Sequence, residues 1–199
     1  DYVAISFPRS AEDIHEARKL LRAAGSEAGI IAKIERAEAV EHIEEIIEAS
    51  DAIMVARGDL GVEIGDAAVP PIQKKMIRMA RDMNRIVITA TQMMESMITS
   101  QIPTRAEVND VANSIMDGAD AVMLSGETSV GEFPLEVIKA MRSIIVGVED
   151  SELIEGYVQG VQCINDRFIS KAVCSTAAKM ANEIGAAAIT TLTNSGYTA

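Results

Sequence analysis

The sequence predicts an α/β fold in which parallel strands and helices alternate. Short apolar segments that suit buried strands are each followed by an amphipathic helix, and this alternation occurs five times. Four successive strands end in a polar pair two residues apart. An open doubly wound sheet and part of a (β/α)8 barrel both fit. The repeated polar ends favour the barrel, because a doubly wound sheet concentrates its site at one switch point.

The segment 51–63 shows this pattern most clearly. Its apolar residues 53–56 predict a strand that is buried on both faces. Arg57 and Asp59 follow two residues apart, so an extended backbone would point both side chains the same way. Gly58 between them would let a ligand approach the backbone. A cation, an open amide and a carboxylate at a strand end predict a site for an anion held together with a metal.

Three further predicted strands end in the same way. Their polar pairs are Lys33 and Glu35, Thr89 and Thr91, and Ser125 and Glu127. Because the carboxyl ends of parallel strands meet at one edge of a sheet, these side chains would gather in one place. The segments that begin at Asp51 and Asp120 are also near repeats, Asp-Ala-Ile-Met-Val and Asp-Ala-Val-Met-Leu.

Residues that start or stop helices delimit the predicted helices. Ser10 with Asp13 suits the start of the first helix, and Thr104 with Glu107 forms a capping-box pattern for the fourth. A short loop at 70–71, with two prolines, would precede the third. The stripes expected to face the core are Ile14, Ala17, Leu20 and Leu21 in the first helix, Val40, Ile43, Ile46 and Ile47 in the second, Ile72, Met76, Ile77, Met79 and Ala80 in the third, and Val137, Ile138, Met141, Ile144 and Ile145 in the fifth.

The alternation weakens after the fifth helix, where glycines and acidic residues are frequent. We therefore expect a barrel part at residues 1–146, a linker at 147–166 and the start of a second domain at 167–199. This last part predicts one helix that ends near residue 184. A strand over residues 186–193 and a hydroxyl-rich turn would follow.

Composition narrows the class of function. The chain has 30 acidic and 18 basic residues, a net charge of −12. Such a surface repels nucleic acids and anionic membranes, so we expect partners of neither kind. A phosphorylated substrate would need locally placed cations or a metal. Cys163 and Cys174 lack metal-binding or redox spacing, which indicates reduced thiols and a cytoplasmic location.

The residues by themselves also allow simpler interpretations of the polar strand ends. Lys33 would form a structural ion pair with Glu35 or Asp59. Gly58 would only permit a turn, and Thr91 would reflect the preference of β-branched residues for strands. At the level of the residues, the choice between these interpretations and a binding site stays open.

Taken together, the strand ends closely resemble those of pyruvate kinases of the bacterial kind. Five segments in that family's order carry the resemblance: Ile-Ile-Ala-Lys-Ile-Glu-Arg at 30–36, Met-Val-Ala-Arg-Gly-Asp-Leu-Gly at 54–61, Ala-Thr-Gln-Met-Met-Glu-Ser-Met at 90–97, Pro-Thr-Arg-Ala-Glu at 103–107 and Met-Leu-Ser-Gly-Glu-Thr at 123–128. The resemblance covers essentially the whole chain. It implies strands four to eight of a (β/α)8 TIM barrel, followed by the first helix and strand of an α/β C-terminal regulatory domain.

The resemblance also implies a reaction and roles for residues. Phosphoenolpyruvate would donate its phosphoryl group to ADP in glycolysis, giving pyruvate and ATP, in a homotetramer. Lys33 matches the lysine that stabilises the phosphoryl and enolate charges. Glu35 and Asp59 match ligands of a divalent metal, Mg²⁺ or Mn²⁺. Gly58 and Asp59 match positions whose amides hold the substrate carboxylate, and Thr91 matches a threonine used in protonation.

Further family motifs lie around this set. Arg57 matches a residue that binds substrate or supports the site, and Ser125 and Glu127 would order the residues that touch substrate. The hydroxyl-rich turn is similar to the family's allosteric effector loop. Its residues are Thr193, Asn194, Ser195, Gly196 and Thr198.

The first three barrel strands of the family lie outside this sequence. In the family they carry an arginine for the substrate phosphate and the K⁺ ligands, so we expect this chain by itself to be incomplete for turnover. Two alternatives stay open: another Mg²⁺-dependent phosphoenolpyruvate or pyruvate barrel enzyme, an aldolase or lyase, and a non-catalytic fragment. The first would not need Lys33 beside the metal or a Thr91–Gln92 motif. The intact set of site residues argues against the second.

Overall fold

The computed structural model describes residues 1–151 and 168–192. The chain forms two compact units, Asp1–Asp150 and Ser151–Ala199. Within the described residues, a five-stranded parallel sheet forms the centre of the first unit. Its strands are β1 Tyr2–Ile5, β2 Gly29–Ile34, β3 Ala52–Ala56, β4 Ile86–Ala90 and β5 Ala121–Val122. The predicted α/β class with a parallel sheet is confirmed.

The strands pair in sequence order, from β1 to β5. Lys33 lies beside Met54, Met54 beside Ile88, and Ile88 beside Ala121. These residues therefore share one face of the sheet, because side chains alternate along a strand. The other face packs on helices, and its members include Ile34, Val55 and Thr89, all fully buried.

Helices follow each strand of the first unit. Their bounds are α1 Ala11–Ala23, α2 Ala37–Glu41, α3 Ile43–Ala49, α4 Arg57–Ile64, α5 Val69–Asp82, α6 Arg105–Asp117, α7 Gly126–Ser129 and α8 Pro134–Glu149, with short 3-10 helices at Asp66–Ala68 and Glu95–Ile98. The predicted capping box of α6 is confirmed. Glu107 N donates to Thr104 Oγ1 at 3.2 Å, and Thr104 N donates to the Glu107 carboxylate at 2.8 Å.

Aliphatic and methionine side chains fill two cores in the first unit. One lies between the sheet and helices α1, α3 and α5; its fully buried members include Ile14, Ile34, Ile46, Ile53 and Ile77. The other joins the segment after β4 to α6 and α8 through Met93, Met94, Met97, Val111 and Val137. The second core thus fixes the segment that follows β4.

Some sequence-based expectations in this unit are wrong. Leu20 and Ile138 are exposed, so the stripes of α1 and α8 are narrower than predicted. The loop expected before the third main helix is itself helical, because α4 begins directly after β3. The two prolines at 70–71 lie in the first turn of α5. Proline is tolerated there because the first-turn amides have no partner within the helix.

The second unit contains α9, Phe168–Ile184, close to the predicted bounds. The strand predicted over 186–193 is not formed in its described residues, 186–192. A strand needs a neighbour to take up its backbone hydrogen bonds. The effector-loop residues 193–199 and most of the predicted linker lie outside the described residues. Across the described ranges, no helix is both long and apolar enough to cross a membrane.

Candidate active site

The end of β2 brings a lysine and a glutamate together. Lys33 Nζ lies 2.6 Å from Glu35 Oε1 and donates to Ser6 Oγ at 3.1 Å. The Glu35 side chain is 1% exposed and that of Lys33 26%. The spacing of two residues puts both groups on the same side, as the sequence predicts. The ammonium neutralises the buried carboxylate while it stays accessible to an incoming anion.

Ser6 and Phe7, which follow β1, complete this arrangement. Sequence reasoning did not identify either residue. Phe7 N donates to Glu35 Oε2 at 2.8 Å, and Ser6 contacts Lys33. Phe7 has a φ of +56°, in the left-handed region that residues with a Cβ seldom adopt. The Arg36 guanidinium lies 5.5 Å from the centre of the Phe7 ring. The only signal for these residues was a strand ending in Ser-Phe, without the polar pair of the other strand ends.

The end of β3 leads directly into α4. Ile34 lies beside Val55, so Glu35 is next to the point where β3 ends and α4 begins. Arg57 and Asp59 lie in a helical turn, where successive residues rotate by about 100°. They therefore point in different directions, and the expectation of a shared direction is wrong. Asp59 is exposed, and no other described residue hydrogen-bonds to its carboxylate.

The end of β4 is joined to the start of α4. Gly58 N donates to Thr91 Oγ1 at 2.8 Å, and Thr91 Oγ1 donates to Ala90 O at 2.7 Å. Thr91 and Gln92 have φ values of +66° and +54°. This left-handed region is unfavourable for residues with a Cβ, above all for a β-branched one. The contacts around this segment must therefore hold Thr91 in place.

Arg57 helps to hold Thr91 in this conformation. Its guanidinium pairs with Asp110 Oδ1 at 2.6 Å and donates to Ala90 O at 3.3 Å and to Thr91 O at 2.7 Å. The side chain is 11% exposed. Because these contacts occupy all three guanidinium nitrogens, the geometry favours a supporting role over direct contact with substrate. Sequence reasoning missed Asp110, which is distant from Arg57 along the chain.

Two glutamates hold the same segment further along. Glu127 is 4% exposed; its carboxylate accepts from Ser125 N at 2.8 Å and from Met94 N at 3.3 Å. Glu107 accepts from Ser96 N at 2.7 Å and from Ser96 Oγ at 2.5 Å. Burial alone would raise the pKa of Glu107, but hydrogen bonds from Ser96 and Thr104 outweigh it and lower the pKa. Glu107 is thus ionised while it holds the segment.

Glu35 and Asp59 both carry carboxylate oxygens, the kind of ligand that suits a divalent metal. Glu35 Oε1 is buried and accepts no aligned hydrogen bond from the described residues, although Lys33 lies close. Asp59 offers a second carboxylate at the neighbouring strand end. Mg²⁺ and Mn²⁺ prefer such oxygens, with further ligands from substrate and water. Among the described residues, no three His, Cys, Asp or Glu side chains group closely enough to form a metal site on their own.

Comparisons with known proteins show the family that this chain resembles. The family model for the pyruvate kinase barrel domain matches residues 1–138. A pyruvate kinase of Buchnera aphidicola (subsp. Acyrthosiphon pisum, strain APS) is 57% identical, pyruvate kinase II of Salmonella typhimurium 53%, and a pyruvate kinase of Haemophilus influenzae 52%. Each match covers 100% of this chain and 42% of the relative, so the chain spans less than half the length of these proteins.

Proposed function

Because this chain belongs to the pyruvate kinase family, we propose that it holds phosphoenolpyruvate and a divalent metal for phosphoryl transfer to ADP. The observation that carries the proposal is the Lys33–Glu35 pair at the end of β2, next to the first turn of α4. A partly buried ammonium is costly unless it meets anions, and the transferred phosphoryl group is strongly anionic.

The residues would share the chemistry in two steps. In the first, the bond from phosphorus to the enol oxygen breaks, a bond to an ADP oxygen forms, and Lys33 stabilises the charge on the phosphoryl group and the enolate. In the second, the methylene carbon takes a proton from water oriented by Thr91, because a threonine hydroxyl is too weak an acid to act alone. The amides of Gly58 and Asp59, at a helix start, would hold the substrate carboxylate. Gly58 N would exchange its bond to Thr91 for that contact.

Glu35 and Asp59 would hold Mg²⁺ or Mn²⁺. When bound, the metal supplies neutralising charge to the phosphoryl and enolate oxygens. This assignment is supported by the exposed Asp59 carboxylate and by Glu35 Oε1, which accepts no aligned hydrogen bond from the described residues. Ser125 and Glu127 would order the site from the end of β5.

The finer assignments are also proposals. The five strands would be strands four to eight of a (β/α)8 barrel, with 1–146 as barrel, 147–166 as linker and 167–199 as the start of a regulatory domain. K⁺ dependence, a homotetramer, a cytoplasmic location, and an effector site at Thr193, Asn194, Ser195, Gly196 and Thr198 follow from the family alone.

The proposal is tested by incubating the chain with phosphoenolpyruvate, ADP and Mg²⁺ and quantifying pyruvate and ATP. Any turnover should give equal amounts of both, although we expect this chain by itself to be incomplete for turnover, and Lys33→Met should give neither product. Pyruvate and inorganic phosphate without ATP would indicate transfer to water instead of ADP, and equal non-zero rates in the chain and the variant would contradict the role of Lys33. Mn²⁺ binding, followed by electron paramagnetic resonance, is a second readout that needs no turnover. We expect Glu35→Gln to weaken binding and Glu136→Gln, on the exposed surface of α8, to leave it unchanged. Equal Mn²⁺ affinity of the chain and Glu35→Gln would contradict the metal site.

A further inference from the structure

The segment 90–98, which follows β4, is held by charged side chains from three helices. Arg57 of α4 binds the carbonyls of Ala90 and Thr91. Glu127 of α7 and Glu107 of α6 bind the amides of residues 94 and 96. Thr91 is thus contacted by Arg57 and precedes the amide that Glu127 binds. The proposed chemistry uses Thr91 directly and gives Glu127 only a general ordering role.

Glu127 is nearly fully buried, and both of its carboxylate oxygens are used. One accepts from Ser125 N at 2.8 Å and the other from Met94 N at 3.3 Å. Met94 is itself fully buried, so its amide has no access to water as a substitute acceptor. A buried amide without an acceptor is unfavourable. The carboxylate therefore joins the segment after β4 to the turn after β5 at a point where no solvent can replace it.

This junction bears on the backbone conformation of Thr91. Thr91 and Gln92 occupy the left-handed region at φ +66° and +54°. Such a conformation persists only where the surroundings impose it. Arg57 holds the carbonyl side of the strained residues, and Glu127 holds the amide two residues beyond them. Loss of either contact would let the segment relax toward ordinary backbone angles. The Thr91 hydroxyl would then move away from Gly58 N.

We propose that Glu127 is a positioning residue for Thr91. Its buried carboxylate fixes Met94, keeps Thr91 in its strained conformation, and so places the Thr91 hydroxyl against the Gly58 amide at the candidate substrate site. The geometric part of this inference is independent of the reaction. The catalytic part rests on the proposed function, because it requires that Thr91 serve the protonation step.

The first test measures the exchange of individual backbone amides by NMR. Glu127→Gln keeps the size of the side chain but has only one carbonyl oxygen for two amides. If that oxygen stays with Ser125, the side-chain NH2 faces Met94 N. We expect the exchange of both Met94 N and Gly58 N to rise about tenfold or more, since protection reports local opening. Unchanged protection of Gly58 in the folded variant would overturn the proposal. If Glu127→Gln does not fold, Glu127→Asp, which keeps both oxygens on a shorter side chain, replaces it with the same criteria.

Two controls separate this effect from general destabilisation. Glu136→Gln makes the same chemical change at an exposed site on α8. Ser50→Ala removes a buried hydrogen bond of 2.7 Å to Ile46 O, at the end of α3. We expect neither to change the exchange of Gly58 N. If Ser50→Ala raised it as much as Glu127→Gln, the effect would be global and the proposal would fail.

A double-mutant cycle with Thr91→Ala tests the catalytic part. Glu127→Gln is expected to lower kcat by about 10- to 100-fold through misplacement of Thr91, with a smaller change in KM for phosphoenolpyruvate. In the Thr91→Ala background, Glu127→Gln should lower kcat little further, because the effects of residues that act through one another are not additive. Full additivity would overturn the positioning role. Absence of turnover in the unaltered chain would bear on the proposed function alone, while the exchange of Gly58 N still decides the geometric inference.

Discussion

At the scale of single residues, the buried carboxylate of Glu35 makes two structural contacts and is also a proposed metal ligand. The carboxylate pairs with the Lys33 ammonium at 2.6 Å and accepts a hydrogen bond from the Phe7 amide at 2.8 Å. Its Oε1 accepts no aligned hydrogen bond from the described residues. A buried carboxylate with so few hydrogen bonds is unfavourable by itself. Its residual attraction for cations is therefore the property that the proposed metal site would use.

Replacing Glu35 by alanine should destabilise the fold. Glu35→Ala leaves the Phe7 amide without an acceptor and Lys33 without its counter-charge. We expect a loss of about 2 to 3 kcal/mol in the free energy of unfolding, at the low end for buried pairs because Lys33 is partly exposed. Urea denaturation followed by circular dichroism measures it. Glu41→Ala, on the exposed face of α2, is the control and should change little. A loss in Glu35→Ala no larger than in that control would contradict the prediction.

The location of the candidate site at one edge of the sheet was predictable, but the residues that support it were not. Lys33 and Glu35 were candidates because they close a predicted strand, and parallel strands share that edge. The partners Asp110 and Ser6 gave no such signal, since their contacts depend on how distant segments fold together. Contacts across dozens of residues cannot be read from local spacing.

At the scale of elements, the start of α4 shows where local reasoning fails. Gly58 and Gly61 disfavour a helix and suggested a turn. The structure nevertheless forms α4, with Leu60 fully buried and Arg57 paired with Asp110. Tertiary contacts thus outweigh the propensity of the glycines. By contrast, the capping box of α6 was predictable because all of its contacts are local.

The near repeat at Asp51 and Asp120 also acquires a physical reason. Asp51 N donates to Ile30 O at 3.0 Å, and Ile30 N donates to the Asp51 carboxylate at 2.7 Å. Asp120 repeats both contacts with Val87, at 2.9 and 2.8 Å. Each aspartate thereby fixes the start of its strand against the neighbouring strand. The register that places the polar strand ends side by side begins at these residues.

Asp51 should make stability depend on pH. Burial alone would raise its pKa, but hydrogen bonds from Ile30 and Arg18 and the charges of Arg18 and Arg85 lower the pKa in the fold. Its contribution is therefore present above the unfolded pKa, about 3.9, and is lost as the pH falls through the lower folded pKa. Near neutral pH, Asp51→Asn should have a lower free energy of unfolding than the unaltered chain. The difference between the two should become smaller in acid. Urea denaturation of both proteins across this pH range measures this difference. A difference that does not change with pH would contradict the prediction.

At the scale of the whole molecule, the sheet is covered unevenly. Helices bury one face, whereas the face that carries Lys33 exposes Tyr2 by 50% and Ile86 by 41%. Among the described strands, β1 and β5 are the edges. An open edge and an apolar face both favour association with other chains.

We therefore expect the chain by itself to associate as its concentration rises. Size-exclusion chromatography with light scattering should show a mass above that of one chain, increasing with protein concentration. Tyr2→Lys places a charge on the exposed face at its edge strand, which should reduce association because a buried lysine without a partner is unfavourable. Leu135→Lys makes a similar change on the exposed surface of α8, away from the sheet, and should leave association unchanged. A chain that stays monomeric and melts cooperatively at all concentrations would show that the uncovered face needs no partner.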